Sequence, residues 1–235
     1  LANSVEDCVL ADAVLRGLKR PQARARDPKG LRIIVPETLV FDDAEDAVVQ
    51  NFEGSLQRLR RAGAKIRRVK MPVFQHILDL VAARGHILGA EALAVHWSRV
   101  KGADAARMDA RVVKRILLAE KMTAVDLVVV MEERKRMIAE AEAILDGALL
   151  AYPTTPHVAM PIAPLEADQD VFFRNNARTL RNTMLGNFLD WCGVSIPNGT
   201  DAAGMPTGFL LSAAHGQDMD LLSAALGTEE IIRGS

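Results

Sequence analysis

Cysteine is almost missing from this chain. Cys8 and Cys192 are its two, and they form neither a C-x-x-C pair nor a ladder of half-cystines, so there is no disulfide framework and no thiolate pair to hold zinc. A reducing, cytoplasmic setting is the expectation. A surplus of either charge is missing as well. The 29 lysines and arginines nearly cancel 30 aspartates and glutamates, leaving −1, so no overall field recruits nucleic acid or an anionic membrane. There is no long apolar run: the charge-poor stretch 143–165 contains Asp146 and is broken by prolines, which excludes a membrane span. The residues after Leu1 make neither a basic nor an apolar leader region, so a signal peptide is not expected there.

Several catalytic motifs are missing too. H-E-x-x-H and G-x-x-x-x-G-K-[ST] do not occur, and Gly199 to Gly204 lacks the middle glycine of a dinucleotide loop. Gly193-Val194-Ser195-Ile196-Pro197 is no nucleophile elbow, because the final glycine is absent and the predicted helix precedes it, so Ser195 reads as an ordinary strand residue. His76, His86 and His96 recur every ten residues, which turns each about 80° from the last on a helix and makes no ligand set. His157 and His215 lie in loops beside predicted strand ends, where binding residues gather. No metal or other cofactor is implied.

What is there is enough apolar material for a core: 49% of 235 residues are hydrophobic and 25% charged, which excludes disorder. Ser4-Val5-Glu6-Asp7 has the shape of a capping box and opens a helix to about Leu18, with Leu10, Val14 and Leu18 as an apolar line. A helix at the very start of the chain suggests a piece of a longer polypeptide. Residues 19–30, with five basic side chains and two prolines, read as a solvated connector. Leu31 to Val35 is a β-branched run stopped by Pro36, the pattern of a strand buried on both faces. Asp42 and Asp43 offer an N-cap to a helix with Val48, Phe52, Leu56 and Leu59 on one face, closed by Gly63, and Ile66 to Met71 makes a second strand. Two strands joined by such a crossover helix are expected to be parallel, which places the chain in the α/β class.

Residues 73–146 form a mainly helical region, two or three long helices with a break near Lys101 to Asp109. Within it Leu127-Val128-Val129-Val130 favours a strand locally, but no turn residues bound it and helix formers come after it, so it is read as helix. Ala148 to Tyr152 is a third strand, followed by a proline-rich loop from Pro153 through Pro164. Then come a helix Phe172 to Trp191, a strand Val194 to Ile196, a turn Pro197-Asn198-Gly199, a strand Thr207 to Ser212 and a helix Asp218 to Ile232. The basic concentration from Arg58 to Lys70 lacks interleaved aromatics, and reads as a solvated face with helix C-terminal cations.

Four ordered stretches resemble the amidase signature family. Asn182-Thr183 and then Asn187-Phe188-Leu189-Asp190-Trp191-Cys192-Gly193-Val194-Ser195-Ile196-Pro197-Asn198-Gly199, followed by Gly204-Met205-Pro206-Thr207-Gly208-Phe209-Leu210-Leu211, form a block similar to its C-terminal signature. Leu1 to Asp7, Leu31 to Pro36 and Ala148 to Pro156 are similar to three earlier motifs. The resemblance implies the C-terminal part of an α/β/α sandwich with a mixed sheet and long helices, residues 1–235 belonging to a single amidase domain. It implies an enzyme hydrolysing a small-molecule amide with a Ser-Ser-Lys triad and no metal. The family's triad precedes the motif at Leu1, so no residue here inherits a catalytic role and the N-terminal half of the enzyme is the implied partner.

The resemblance places the Pro153–Thr155 loop, the Asn187–Cys192 turn and the long helix around Arg136 near the acyl-binding cleft, with Thr155, Asn187, Trp191 and Arg136 as the candidate substrate-binding residues. Arg136 is a candidate to meet an anionic substrate group, the other reading being a solvated helix arginine paired with Glu132. Asp190 and Cys192 stand where the family usually has glycine and proline, and Leu180 where its glutamine-using amidotransferase branch has an aspartate. Alternatives to a share in amide hydrolysis are a partner-binding domain without activity and an A-subunit-like amidotransferase component. A strand bordering the absent segment would expose an edge, so an apolar patch or a homo-oligomer is expected of the isolated chain.

Overall fold

In the computed structural model, which describes residues 1–234, the first helix starts where its capping signal predicts. Helix α1, Val5–Leu15, begins after Ser4, whose hydroxyl accepts the N–H of Asp7 at 3.1 Å. Its buried side is Val5, Val9 and Ala13, while Leu10 and Val14 are exposed and the helix ends before Leu18. Both lines have helical spacing. The one that meets the C-terminal helix is covered, Val9 packing with Ala23 and Leu222. The connector is not simply solvated either: Arg26 N donates to Ser223 O at 2.9 Å, laying the chain along that same helix. Gly227 permits the approach, since a Cβ there would lie 1.8 Å from the Arg26 carbonyl oxygen.

Strand β1, Arg32–Pro36, helix α2, Asp46–Arg61, and strand β2, Lys65–Val69, form the expected parallel unit, with Ile33 opposite Ile66. Val48, Phe52, Leu56 and Leu59 are the buried face of α2, and Gly63 closes it at φ 96°. The start differs from expectation. Asp42 and Asp43 are not the cap; the helix begins after Glu45, and Asp43 sits at φ 51° in a loop whose carbonyls are taken by remote arginines.

Contacts divide the chain into two units, Leu1–Met71 with the residues from Ala141 onward, and Pro72–Glu140. The second contains α3, Val73–Arg84, α4, Ile87–Lys101, α5, Ala110–Leu117, and most of α6, Ala124–Leu145, with 3-10 turns at Ala103–Arg107 and Leu118–Lys121. The predicted break near 101–109 is there. Further breaks come from Gly85, at φ 92°, and His86, whose Nδ1 accepts the Leu88 N–H, so the region is cut more finely than two or three helices. Leu93, Val100 and Ile116 form its own small core. The helical reading of Leu127–Val130 holds, for a reason the propensities do not contain. Thr123 and Asp126 cap each other reciprocally, Asp126 N donating to Thr123 Oγ1 and Thr123 N to Asp126 Oδ2, each at 3.0 Å.

The first unit continues with β3, Leu149–Pro153, α7, Ile162–Ala167, α8, Gln169–Phe188, β4, Cys192–Thr200, β5, Pro206–Ala213, and α9, Asp218–Arg233. The described strands make one mixed sheet in the order β2-β1-β3-β5-β4, parallel from β2 to β3 and antiparallel beyond. This is the α/β class expected. One sheet face carries Ile33, Val35, Leu149, Ala151, Ile196, Phe209 and Leu211 against Phe52, Leu56 and Leu59 of α2 and Leu221, Ala224 and Ile232 of α9. Phe52 stacks on Phe209 at 4.8 Å between ring centroids.

Three boundaries depart from the sequence reading. A short helix, α7, interrupts the proline-rich loop. Helix α8 stops at Phe188, because Asp190 adopts φ 61° and turns Trp191 out of helical register. Pro197-Asn198-Gly199 is not the turn: β4 continues through it with an irregularity between Pro197 and Gly199. Proline is tolerated because β4 is the edge strand. The reversal comes at Asp201–Met205, where Asp201 Oδ1 accepts the N–H groups of Ala203 and Met205 at 2.9 and 2.8 Å.

Candidate functional site

Strands β1 and β3 run parallel, so the loops that continue from them leave the same end of the sheet, the place where α/β folds gather ligands. These loops are tied together by α8. Asn182, fully buried, donates from Nδ2 to Pro153 O at 2.8 Å and to Val40 O at 3.0 Å. Arg181, the residue beside it, donates to Asp42 O, and Arg178, one turn earlier, to Asp43 O. Burial pushes the Arg181 guanidinium pKa down, Asp42 and Asp43 working against that shift. Glu45 completes the tie: its N–H donates to Pro156 O at 2.8 Å and its Oε2 accepts the Val158 N–H at 3.1 Å.

Within the second loop, Thr155 Oγ1 donates to His157 O at 2.8 Å. The His157 ring is buried, with Nδ1 2.8 Å from Val158 O and Nε2 2.9 Å from Thr179 Oγ1. Both ring nitrogens hold the loop, so this histidine is a structural member of it. His215 is exposed and its Nδ1 lies 3.0 Å from Asp190 Oδ2.

Thr154 faces the other way. Its Oγ1 lies 2.6 Å from Ser195 Oγ, the two hydroxyls meeting above Gly208 of the strand between them. A Cβ at position 208 would lie 2.8 Å from Thr154 Oγ1 and 2.9 Å from Ser195 Oγ, so only glycine leaves this space. Ser195, Gly193 and Pro197 are exposed on the same side of β4.

Of the residues expected at the cleft, Thr155 lies in the tied loop, partly exposed, and Asn187 is exposed on the last turn of α8. Trp191 is buried, 9% exposed, with its backbone N–H donating to Gly186 O. Arg136 belongs to the other unit. It pairs with Glu133 at 2.7 Å and Glu140 at 3.4 Å rather than with Glu132, which pairs with Lys135. The i,i+3 geometry decided between two acidic neighbours that sequence spacing alone leaves equivalent. Glu133 raises the Arg136 pKa further.

Two groups are set aside by their surroundings. Burial pushes the Cys192 thiol up to about 11, aided by Asp218, so it stays protonated and is a poor nucleophile at neutral pH. Burial likewise raises the Tyr152 phenol above its ordinary range. The sequence by itself singles out neither Asn182 nor Ser195 as a working residue, and Thr154 only as a member of the Pro153–Thr155 loop. A signal was present for the last two in the glycine at 208, but its meaning depends on a strand pairing that spacing does not reveal.

The chain matches the family model described as Amidase over residues 1–222. It is 30% identical over 237 residues to a 2-amino-5-chloromuconic acid deaminase of Comamonas testosteroni, covering 99% of this chain and 50% of that protein. Over 63 residues it is 43% identical to the A subunit of a glutamyl-tRNA(Gln) amidotransferase of Thermotoga maritima, covering 27% of this chain and 13% of that one. Among solved structures, an amidase superposes with a TM-score of 0.79 at 20% identity, covering 97% of this chain and 51% of the other. An allophanate hydrolase of Kluyveromyces lactis superposes with a TM-score of 0.75 at 20% identity, covering 97% and 38%. The chain thus spans about half the length of the relative it matches from end to end. With the family model running through every element from α1 to β5, and the fold agreeing, the chain belongs to the amidase signature family.

Proposed function

We propose that this chain takes part in hydrolysis of a carboxylic amide C–N bond, supplying sheet strands and part of the acyl pocket. The nucleophilic serine, bridging serine and lysine would come from sequence outside these 235 residues. The observation that carries the reading is the family match over residues 1–222. In such a site the lysine and bridging serine take the proton of the nucleophile, backbone N–H groups hold the oxyanion, and water releases the acid after the amine has left. This chain's share is shape and polarity: the tied Pro153–Pro156 loop, Thr155, and the α8 end with Asn187 and Trp191. A cytoplasmic location fits this reading. No described helix is long and apolar enough to cross a membrane.

A second reading, an A-subunit-like amidotransferase component, draws on the 63-residue likeness to the Thermotoga protein. Leu180 speaks against glutamine use, since an exposed leucine cannot grip an amino group as an aspartate would. The test is an assay of the natural full-length product beside residues 1–235 alone. Its panel holds aliphatic and aryl amides, glutamine and, after the Comamonas relative, 2-amino-5-chloromuconic acid. Turnover of at least one non-glutamine substrate by the full-length product only is expected. Turnover by the shorter chain, or none by either, overturns the proposal.

A further inference from the structure

We infer that Thr154 and Ser195 act as one substrate-binding hydroxyl pair, donating a hydrogen bond to an oxygen of the acyl group. The inference rests on the amide-hydrolase reading above and names two residues of its pocket. Strands β3 and β4 flank β5 and stand about 10 Å apart, two strand spacings, so their side chains touch only by leaning over the middle strand. They do so at 2.6 Å over Gly208, the position where any side chain would collide with both. The backbone beneath is held, Thr154 N donating to Gly208 O at 2.9 Å and Ser195 lying opposite Leu210. The two hydroxyls carry two protons, and their mutual bond uses one. That leaves one outward O–H, polarised by the bond behind it, and no formal charge. Such a donor suits a carbonyl or carboxylate oxygen. Ser195 is exposed and Thr154 partly so, and Thr154 comes directly after β3, one residue before Thr155.

A merely structural cross-strand hydrogen bond would stabilise the sheet without touching substrate. Kinetics of the natural full-length product separates the two, using its best amide and the variants Thr154→Val, Ser195→Ala, their combination, Thr154→Ser and Gly208→Ala. Each hydroxyl deletion is expected to raise KM roughly 5- to 20-fold with kcat nearly unchanged, the size of one neutral hydrogen bond lost equally from ground and transition states. The double variant is expected to lose little more than the worse single, Thr154→Ser to behave as wild type, and Gly208→Ala to match the deletions. Unchanged KM in both single variants, or losses that follow the melting temperature alone, overturns the inference. If the wild-type product hydrolyses no amide, the proposed function falls by itself, and binding of benzamide and benzoate followed by NMR decides on the pair. Weaker binding by Ser195→Ala supports it; equal binding, or none, overturns it.

Discussion

Asn182 joins three segments through one amide nitrogen, because Val40 O and Pro153 O both accept from it in a fully buried place. Removing it leaves two buried carbonyls without their donor. Asn182→Ala is therefore expected to destabilise the chain by about 2–3 kcal/mol, measured by urea unfolding. Asn187→Ala, five residues along the same helix but exposed, is expected to change stability by less than about 0.5 kcal/mol. Equal losses at the two positions would contradict the accounting. Both asparagines stand in or beside the signature block, and nothing in their local sequence separates an exposed one from one that ties three segments. The partners of Asn182 are 29 and 142 residues away, which explains why spacing could not find them. Arg58 is a second case. Read as a solvated helix-end cation, it caps α9, its Nε donating to Ile231 O at 2.7 Å.

At the scale of elements, α6 owes its start to the Thr123–Asp126 pair, and that pair has a pH signature. The Thr123 hydroxyl, then its backbone N–H, then Arg84 hold the Asp126 carboxyl down at about 2 against an ordinary value of 3.8. A depressed carboxyl stabilises the fold above its unfolded value, and the contribution is lost as pH falls through the folded one. The Asp126 resonance is expected to titrate near 2 by NMR. Thr123→Ala is expected to move it up toward 3.8 and to cost about 1 kcal/mol at pH 7, the usual loss of an N-cap. A wild-type midpoint at the ordinary value would refute the capping account. Thr123-x-x-Asp126 is a capping spacing that the helical reading of this segment did not use, and the β4–β5 turn was misplaced because Pro-Asn-Gly is a stronger local turn signal than Asp201 with its two N–H partners. Cross-strand pairing overrode that signal.

For the whole molecule, the sheet ends at β4, whose outer edge has no partner among the described strands and whose Gly193, Ser195 and Pro197 are exposed. Leu10 and Val14 of α1 are also exposed, at 54% and 68%. Unpaired backbone groups and open apolar side chains favour association, each Å² of apolar surface covered being worth about 25 cal/mol. Residues 1–235 expressed alone are expected to self-associate in sedimentation at tens of micromolar protein. A compact monomer at every concentration would count against these surfaces as sticky edges.

By itself the sequence determined the α/β class, the parallel β1-α2-β2 unit, the buried face of α2 and the membership announced by its ordered motifs. These arise from periodicity, turn chemistry and short-range order, which act over a few residues. Tertiary structure alone decided which line of α1 is covered, which acidic neighbour Arg136 takes, where the last hairpin turns, and that Thr154 meets Ser195 over a glycine. Each of those outcomes depends on how side chains and segments pack in space, and the local signals either allowed both answers or favoured the other one.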